Sequence, residues 1–174
     1  LVRGGYTNLN GVWEYAFTKE YRRPERFEGE IVVPFSPESV LSGVGRQLMP
    51  DEYLWYRRTF SLAGWDERKD LRRLILHFGA VDQSCVVFVN GKRTAAHTGG
   101  YLPFETEITE SVNEGENELV VAVKDLSETS YHARGKQKLK RGGMFYTAQS
   151  GIWQTVWMEE VPKDYIQGIE TVPD

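Results

Sequence analysis

A chain of 174 residues, 40% hydrophobic and 13% aromatic, is long enough for one domain of ordinary size with a real core. Its 25 acidic and 21 basic residues leave a net charge of −4, which gives no whole-molecule attraction to nucleic acid or to anionic membranes. The single cysteine, Cys85, excludes an internal disulfide and any cysteine-based zinc site, and no apolar run approaches the roughly 20 residues needed to span a bilayer.

Taken in chain order, period-two patterns dominate. In "NGVWEYAFT", Trp13, Tyr15 and Phe17 share one face and Glu14 and Thr18 the other, the pattern of a half-buried strand. "YLWYRRTFSL" repeats it, with Leu54, Tyr56, Phe60 and Leu62 alternating with Trp55, Arg57, Thr59 and Ser61. "DLRRLILHF" is denser, and "SCVVFV" is apolar on both faces, so Cys85 reads as a small buried hydrophobe. Asn90-Gly91 follows, a pair whose easy positive φ values suit a type I′ hairpin turn. "ENELVVAVKD" is entered through the "NEGEN" turn, and "GIWQTVWME" closes the series as one strand. There, Trp153, Thr155 and Trp157 share one face and Ile152, Val156 and Met158 the other. A tryptophan face is expected to fill the core, with the opposite face partly covered by adjoining domains. Helical periodicity is confined to Ser36–Leu41, Trp65–Asp70 and Thr109–Asn113. Short strands at this spacing predict an all-β, antiparallel sandwich or jelly roll. One stretch stands apart: Glu128 to Gln149 is long, basic and glycine-punctuated, as functional or mobile loops are.

Chemistry-bearing motifs are few. His77, His97 and His132 lack metal-ligand spacing, so no metal site is expected. "SGVGRQ" lacks the Lys-Ser/Thr of a phosphate-binding loop, and the residues before Ser150 miss the glycine of a hydrolase nucleophile elbow. Asn113-Glu114 and Asn117-Glu118 carry the dipeptide of many sugar-hydrolase acids, but "VNEGENEL" reads as a tight turn before a strand. Arg134, Lys136, Lys138, Lys140 and Arg141, bordered by Tyr131, Phe145 and Tyr146, form a basic, aromatic-bordered loop that could grip single-stranded nucleic acid, although a solvated loop in an acidic protein explains it better. No charged segment followed by an apolar stretch opens the chain, which favours a cytoplasmic location, although Leu1 is not a natural start.

The segments "NLNGVWEYAF", "VVPFSPESVLSGVGR", "LWYRRTF", "LHFGAVDQSCVVFVNGK", "HTGGYLPFETEIT", "GENELVVAVKD" and "SGIWQTVWMEEVP" follow one another in an order that resembles the N-terminal sugar-binding domain of glycoside hydrolase family 2, as in β-galactosidase and β-glucuronidase-like enzymes. The resemblance implies a galactose-binding-domain-like jelly roll over residues 1–162, with 163–174 leading into an immunoglobulin-like domain and then a (β/α)₈ barrel. A retaining glycosidase needs two carboxyl groups about 5–5.5 Å apart; in this family both come from the barrel, which needs about 250 residues. The chain alone is therefore expected to be inactive, without catalytic residues or cofactor. Its implied partners are a β-linked sugar and the downstream domains, with a homo-oligomer open and neither nucleic acid nor membrane expected. The family's long loop before the final strand reaches the barrel pocket; here that is Glu128 to Gln149. The family's aspartate position, five residues before Ser150, is Phe145 in this chain, so the usual carboxylate is missing. Arg134, Gln137 and Tyr146 are the substrate-binding candidates left, Arg134 as a bidentate clamp and Tyr146 as a stacking surface. An autonomous carbohydrate-binding module is the alternative, because fold does not fix function.

Overall fold

The computed structural model describes residues 4–173; Leu1, at the head of the expected sandwich domain, and Asp174, at the end of the expected linker, lie outside the described residues. The strands are β1 (Tyr6–Asn8), β2 (Gly11–Thr18), β3 (Gly29–Val33), β4 (Tyr53–Leu62), β5 (Arg72–Phe78), β6 (Val81–Asp82), β7 (Ser84–Val89), β8 (Lys92–Thr98), β9 (Phe104–Glu107), β10 (Gly115–Lys124), β11 (Gln137–Lys138), β12 (Tyr146–Thr147), β13 (Gly151–Ile152) and β14 (Val156–Pro162). Two antiparallel sheets form a jelly-roll sandwich, one ordered β3-β2-β4-β10-β7-β8 and the other β1-β14-β5-β9. The three helical candidates shrink to single turns at Val40–Ser42, Trp65–Arg68 and Thr109–Ser111.

The core is built from the inward half of each alternating strand. Trp13 and Phe17 of β2, Leu54 and Tyr56 of β4, Val87 and Val89 of β7, and Leu119, Val121 and Val123 of β10 meet Leu76 and Phe78 of β5 and Val156 and Met158 of β14. Trp13 and Tyr56 cross edge to face at 6.3 Å; the Trp13 indole N–H donates to Leu9 O at 2.8 Å and the Tyr56 hydroxyl accepts from Ile152 N at 3.2 Å, so both polar tips are satisfied. Burying one Leu- or Phe-sized side chain contributes roughly 1.5–3 kcal/mol, and this cluster holds most of them. The turn between β7 and β8 has positive φ at both Asn90 (50°) and Gly91 (78°), as the type I′ geometry requires.

Two expectations are corrected. First, "GIWQTVWME" is not one strand: β13 pairs with β6, and β14 pairs with β5 and β1. The residues between are pulled out of the ladder by distant side chains and backbone. Asn10 Oδ1 accepts from Val156 N at 2.9 Å, Asn10 Nδ2 donates to Thr155 Oγ1 at 2.9 Å, and Gly79 N donates to Thr155 O at 2.9 Å. Second, the tryptophans do not fill the core. Ile152, Val156 and Met158 do, whereas Trp153 and Trp157 stand half-buried on the outer side. Trp157 stacks on His77 at 4.7 Å with 3° between ring planes, and His77 lies between Glu159 (3.0 Å) and Glu105 (3.1 Å). The segment 163–173 has no regular structure; Tyr165, Gln167 and Ile169 line a 660 Å³ cleft over this outer face, and Gln167 Nε2 donates to Glu105 Oε1 at 2.7 Å.

Several sequence readings hold as structure. Cys85 is buried, and that burial pushes its thiol up to about 12, so it packs rather than reacts. His97 Nε2 is bonded to Gly99 O at 3.0 Å. The Glu114 carboxylate accepts from Gly64 N (2.7 Å) and Asp66 N (3.1 Å) and is held below the usual carboxylate range by those amides, capping the Trp65 turn. Buried Asn117 closes the neighbouring turn through Asn113 N and O and Gly115 O, and Glu118 is paired with Arg23 at 2.8 Å. Neither glutamate lies in a pocket with a second free carboxylate.

Candidate functional site

One end of the sandwich gathers the irregular connections: the cluster at Asp82–Gln83, the segment Gly99–Pro103 between β8 and β9, and the long loop from Asp125 to Ser150. They are tied to one another. Gly99 N donates to Gln83 O at 2.8 Å, Trp153 Nε1 donates to Gly100 O at 2.7 Å, Tyr101 meets Trp153 edge to face at 6.1 Å, and Gln83 Nε2 donates to Ser130 Oγ at 3.4 Å.

The long loop carries its own scaffold. Glu128 Oε2 accepts from Leu139 N at 2.8 Å, β11 and β12 pair in parallel with Gln137 opposite Tyr146, and Gly142 bridges Phe145. Two-residue strands are too short to leave a period, which is why the sequence shows none. Three glycines with positive φ, Gly135, Gly142 and Gly143, let the backbone fold back on itself.

The three predicted binding residues fare differently. Gln137 and Tyr146 are brought together as register partners, but Gln137 Oε1 already accepts from Gln149 N at 2.7 Å, so its carbonyl serves the loop. Tyr146 is 72% exposed, its ring free for a ligand. Arg134 is half-buried, and its Nε is buried with no acceptor, a donor left over by the fold. Among the described residues no hydrogen bond joins Arg134 to Gln137 or Tyr146. Phe145 sits 4.0 Å beneath the Lys138 ammonium in a cation–π pair.

Beneath the loop lies a group of acids that the sequence reading missed. Asp125 accepts from Ser127 N (2.7 Å) and Ser150 Oγ (2.8 Å), and Glu38 accepts from Leu48 N and Ser150 N, each at 3.1 Å. Both carboxyls titrate above their usual range because burial penalises the charge. Asp82 is different in kind. It is 5% exposed, no donor among the described residues reaches its carboxylate, and it lies so close to Gly100 that a Cβ there would stand 2.4 Å from Oδ1. Burial first, then the charges of Asp125 and Glu38, pushes it up to about 7. A buried acid without a partner is costly unless something else supplies one. The signal available in sequence was a lone acid inside the apolar run "GAVDQSCVVFV". No group of three or more His, Cys, Asp or Glu side chains among the described residues could hold a metal ion.

At this end of the sandwich Asp82, Asp125 and Glu38 form a group of acids, Tyr101 and Trp153 pack edge to face, and the long loop presents basic side chains and the exposed Tyr146. Side chains of these kinds can hydrogen-bond to and stack on hydroxyl-rich molecules. A family model, glycosyl hydrolases family 2, sugar binding domain, matches residues 46–162. A β-galactosidase from Thermoanaerobacter pseudethanolicus is 31% identical over 122 residues, covering 69% of this chain and 15% of that enzyme. A β-glucuronidase from Felis catus is 35% identical over 124 residues, covering 62% of this chain and 18% of that enzyme. Among solved structures, a β-glucuronidase from an uncultured Clostridium sp. superposes with a TM-score of 0.70 at 28% identity, over 94% of this chain and 30% of its own. The chain thus spans less than a third of each of these proteins, and its strands, its order of motifs and the extent of the match agree: it belongs to the sugar binding domain family of glycosyl hydrolases family 2.

Proposed function

We propose that this chain is the non-catalytic N-terminal domain of a family 2 β-glycosidase, and that its loop end completes the sugar pocket of a (β/α)₈ barrel further along the same polypeptide. The observation that carries this reading is Asp82, buried with no donor reaching its carboxylate among the described residues, in a group of acids at the end of the sandwich where Tyr101 and Trp153 pack together and the long loop is tied down through Gln83 and Ser130. A sugar hydroxyl would supply the missing hydrogen bond, Arg134 would reach a second oxygen, and Tyr146 would cover an apolar sugar face. The segment from Lys163 onward is read as the linker and opening strand of an immunoglobulin-like domain; the family match and β14 both end at Pro162, which supports that boundary.

Two outcomes are expected. The 174-residue chain should show no turnover of nitrophenyl β-galactoside or β-glucuronide. Turnover that disappears with Glu114→Gln or Glu118→Gln would place chemistry here instead. In the intact enzyme, Arg134→Ala or Tyr146→Ala should lower kcat/KM about 10-fold or more, the loss of one charge-assisted hydrogen bond or one stacking surface, while leaving the melting temperature of the isolated chain in place. Unchanged kinetics would reduce the loop to scaffold. Micromolar binding of neutral mono- or oligosaccharides by the isolated chain would favour an autonomous carbohydrate-binding module over a domain that needs its barrel.

A further inference from the structure

The cations of the long loop are unusual within this molecule. Elsewhere, Arg23, Arg46, Arg57 and Arg68 each reach a carboxylate within 3 Å. Arg134, Lys136, Lys138, Lys140 and Arg141 make no ion pair among the described residues; Lys138 lies over a ring and Arg141 Nη1 donates to a hydroxyl, Thr147 Oγ1, at 3.3 Å. No acid follows Glu128 before the loop ends at Gln149, and Glu128 is itself engaged by Leu139 N and Ser127 Oγ. In a chain of net charge −4, a basic segment left unneutralised by the rest of the fold is a segment whose counter-charge comes from outside.

The spacing narrows what that counter-charge is. Four of the cations, Arg134, Lys136, Lys138 and Lys140, alternate with other residues, and from Arg134 to Lys140 the backbone can reach at most about 20 Å. A single carboxylate or phosphate meets only one or two of them. A chain carrying an anionic group at intervals meets most of them. The exposed rings of Tyr131 and Tyr146, which flank the charges on the same loop, offer stacking surfaces, and rings of this kind suit a sugar face as well as a base. On a chain of a sugar binding domain family the glycan is the occupant favoured over nucleic acid, and a DNA probe tests the other.

We propose that the strap Arg134–Arg141 binds a polyanionic glycan, a chain bearing uronate carboxylates or sulfate esters, and so selects charged polysaccharide over neutral substrate. This rests on the sugar-binding reading of the same loop and deepens it. The test titrates the 174-residue chain with four probes by calorimetry: an oligogalacturonate, a chondroitin sulfate oligosaccharide, a neutral β-linked oligosaccharide of equal length, and a single-stranded DNA oligomer. Either anionic glycan should bind at least 10-fold more tightly than the neutral one and weaken at least 5-fold between 50 and 300 mM NaCl, as exposed charge contacts do. Lys136→Gln/Lys140→Gln, at two exposed positions with no ion-pair partner, should weaken it at least 5-fold without shifting the melting temperature. Which of the two anionic probes binds tells carboxylate from sulfate. Equal binding of the neutral probe, unaffected by the double variant, overturns the inference while leaving the sugar-binding reading standing. Binding of DNA as tight as the glycans, or no binding of either anionic glycan, also overturns it; the kinetics of Arg134→Ala in the intact enzyme then judge the sugar-binding reading separately.

Discussion

Gly151→Ala is expected to lower folding stability by about 2–5 kcal/mol, a large share of the roughly 5–15 kcal/mol that holds a domain together. Two independent costs meet at this residue. Its φ is +75°, a region where a Cβ costs about 1–2 kcal/mol. The added methyl would also stand 2.1 Å from Tyr56 Oη and 3.1 Å from Cζ, with Leu54 Cδ2 at 3.4 Å behind. Tyr56 cannot retreat: it is fully buried against Trp13, and its hydroxyl accepts from Ile152 N at 3.2 Å. Overpacking of that kind adds about 1–3 kcal/mol. The hydroxyl is the first thing the methyl strikes, so Tyr56→Phe should partly rescue Gly151→Ala although Tyr56→Phe alone is destabilising. The pair should therefore be strongly non-additive in a urea-denaturation cycle. A Gly151→Ala chain within about 0.5 kcal/mol of the parent, the range of a neutral surface change, would show that β13 does not press on β4 in this way.

How far the sequence reveals this molecule follows from where its determinants lie. Trp13 and Phe17 on one face, Leu54 and Tyr56 on another, and the Asn90-Gly91 turn are local facts, set by residues one or two apart, and they survive folding unchanged. The direction of the closing strand was not local. "GIWQTVWM" is apolar on both faces, so period two locates two faces without saying which is inside. Asn10 and Gly79, far away in the chain, decide where the strand breaks and turn both tryptophans outward. The candidate site was legible to the same degree. The basic loop and its glycines could be seen as a unit, and Arg134 and Tyr146 keep the availability that the sequence suggested. Gln137 does not, because its partner Gln149 N arrives only when the loop closes. Asp82 was invisible as a site because its isolation is made by Gly100, Asp125 and Glu38, none of them near it in sequence.

That isolation gives the second large effect: Asp82→Asn should stabilise the chain at alkaline pH and leave it nearly unchanged in acid. The folded carboxyl is pushed up to about 7, whereas an unfolded aspartate titrates near 3.9. Between those two values the native state keeps a proton that the unfolded state has released, so the native state binds more protons and stability falls as pH rises through the window. Below about pH 4 both states are protonated and the penalty vanishes; above about pH 7 it is complete. A displacement of that size corresponds to at most about 4 kcal/mol, and partial solvent screening reduces this to roughly 2 kcal/mol. Asp125 and Glu38, both raised by burial, slope the same way, so the parent chain should lose stability steadily from pH 4 to 8.5. Asp82→Asn, neutral throughout and one charge fewer beside the other two acids, should give a flatter curve that meets the parent near pH 4 and lies about 2 kcal/mol above it at pH 8.5. Parallel curves would mean that Asp82 carries no buried charge. In the intact enzyme the same variant should lose sugar affinity at pH 8, where the lost carboxylate is the acceptor. A change that strengthens the fold and weakens the site is what a residue kept for its ligand produces.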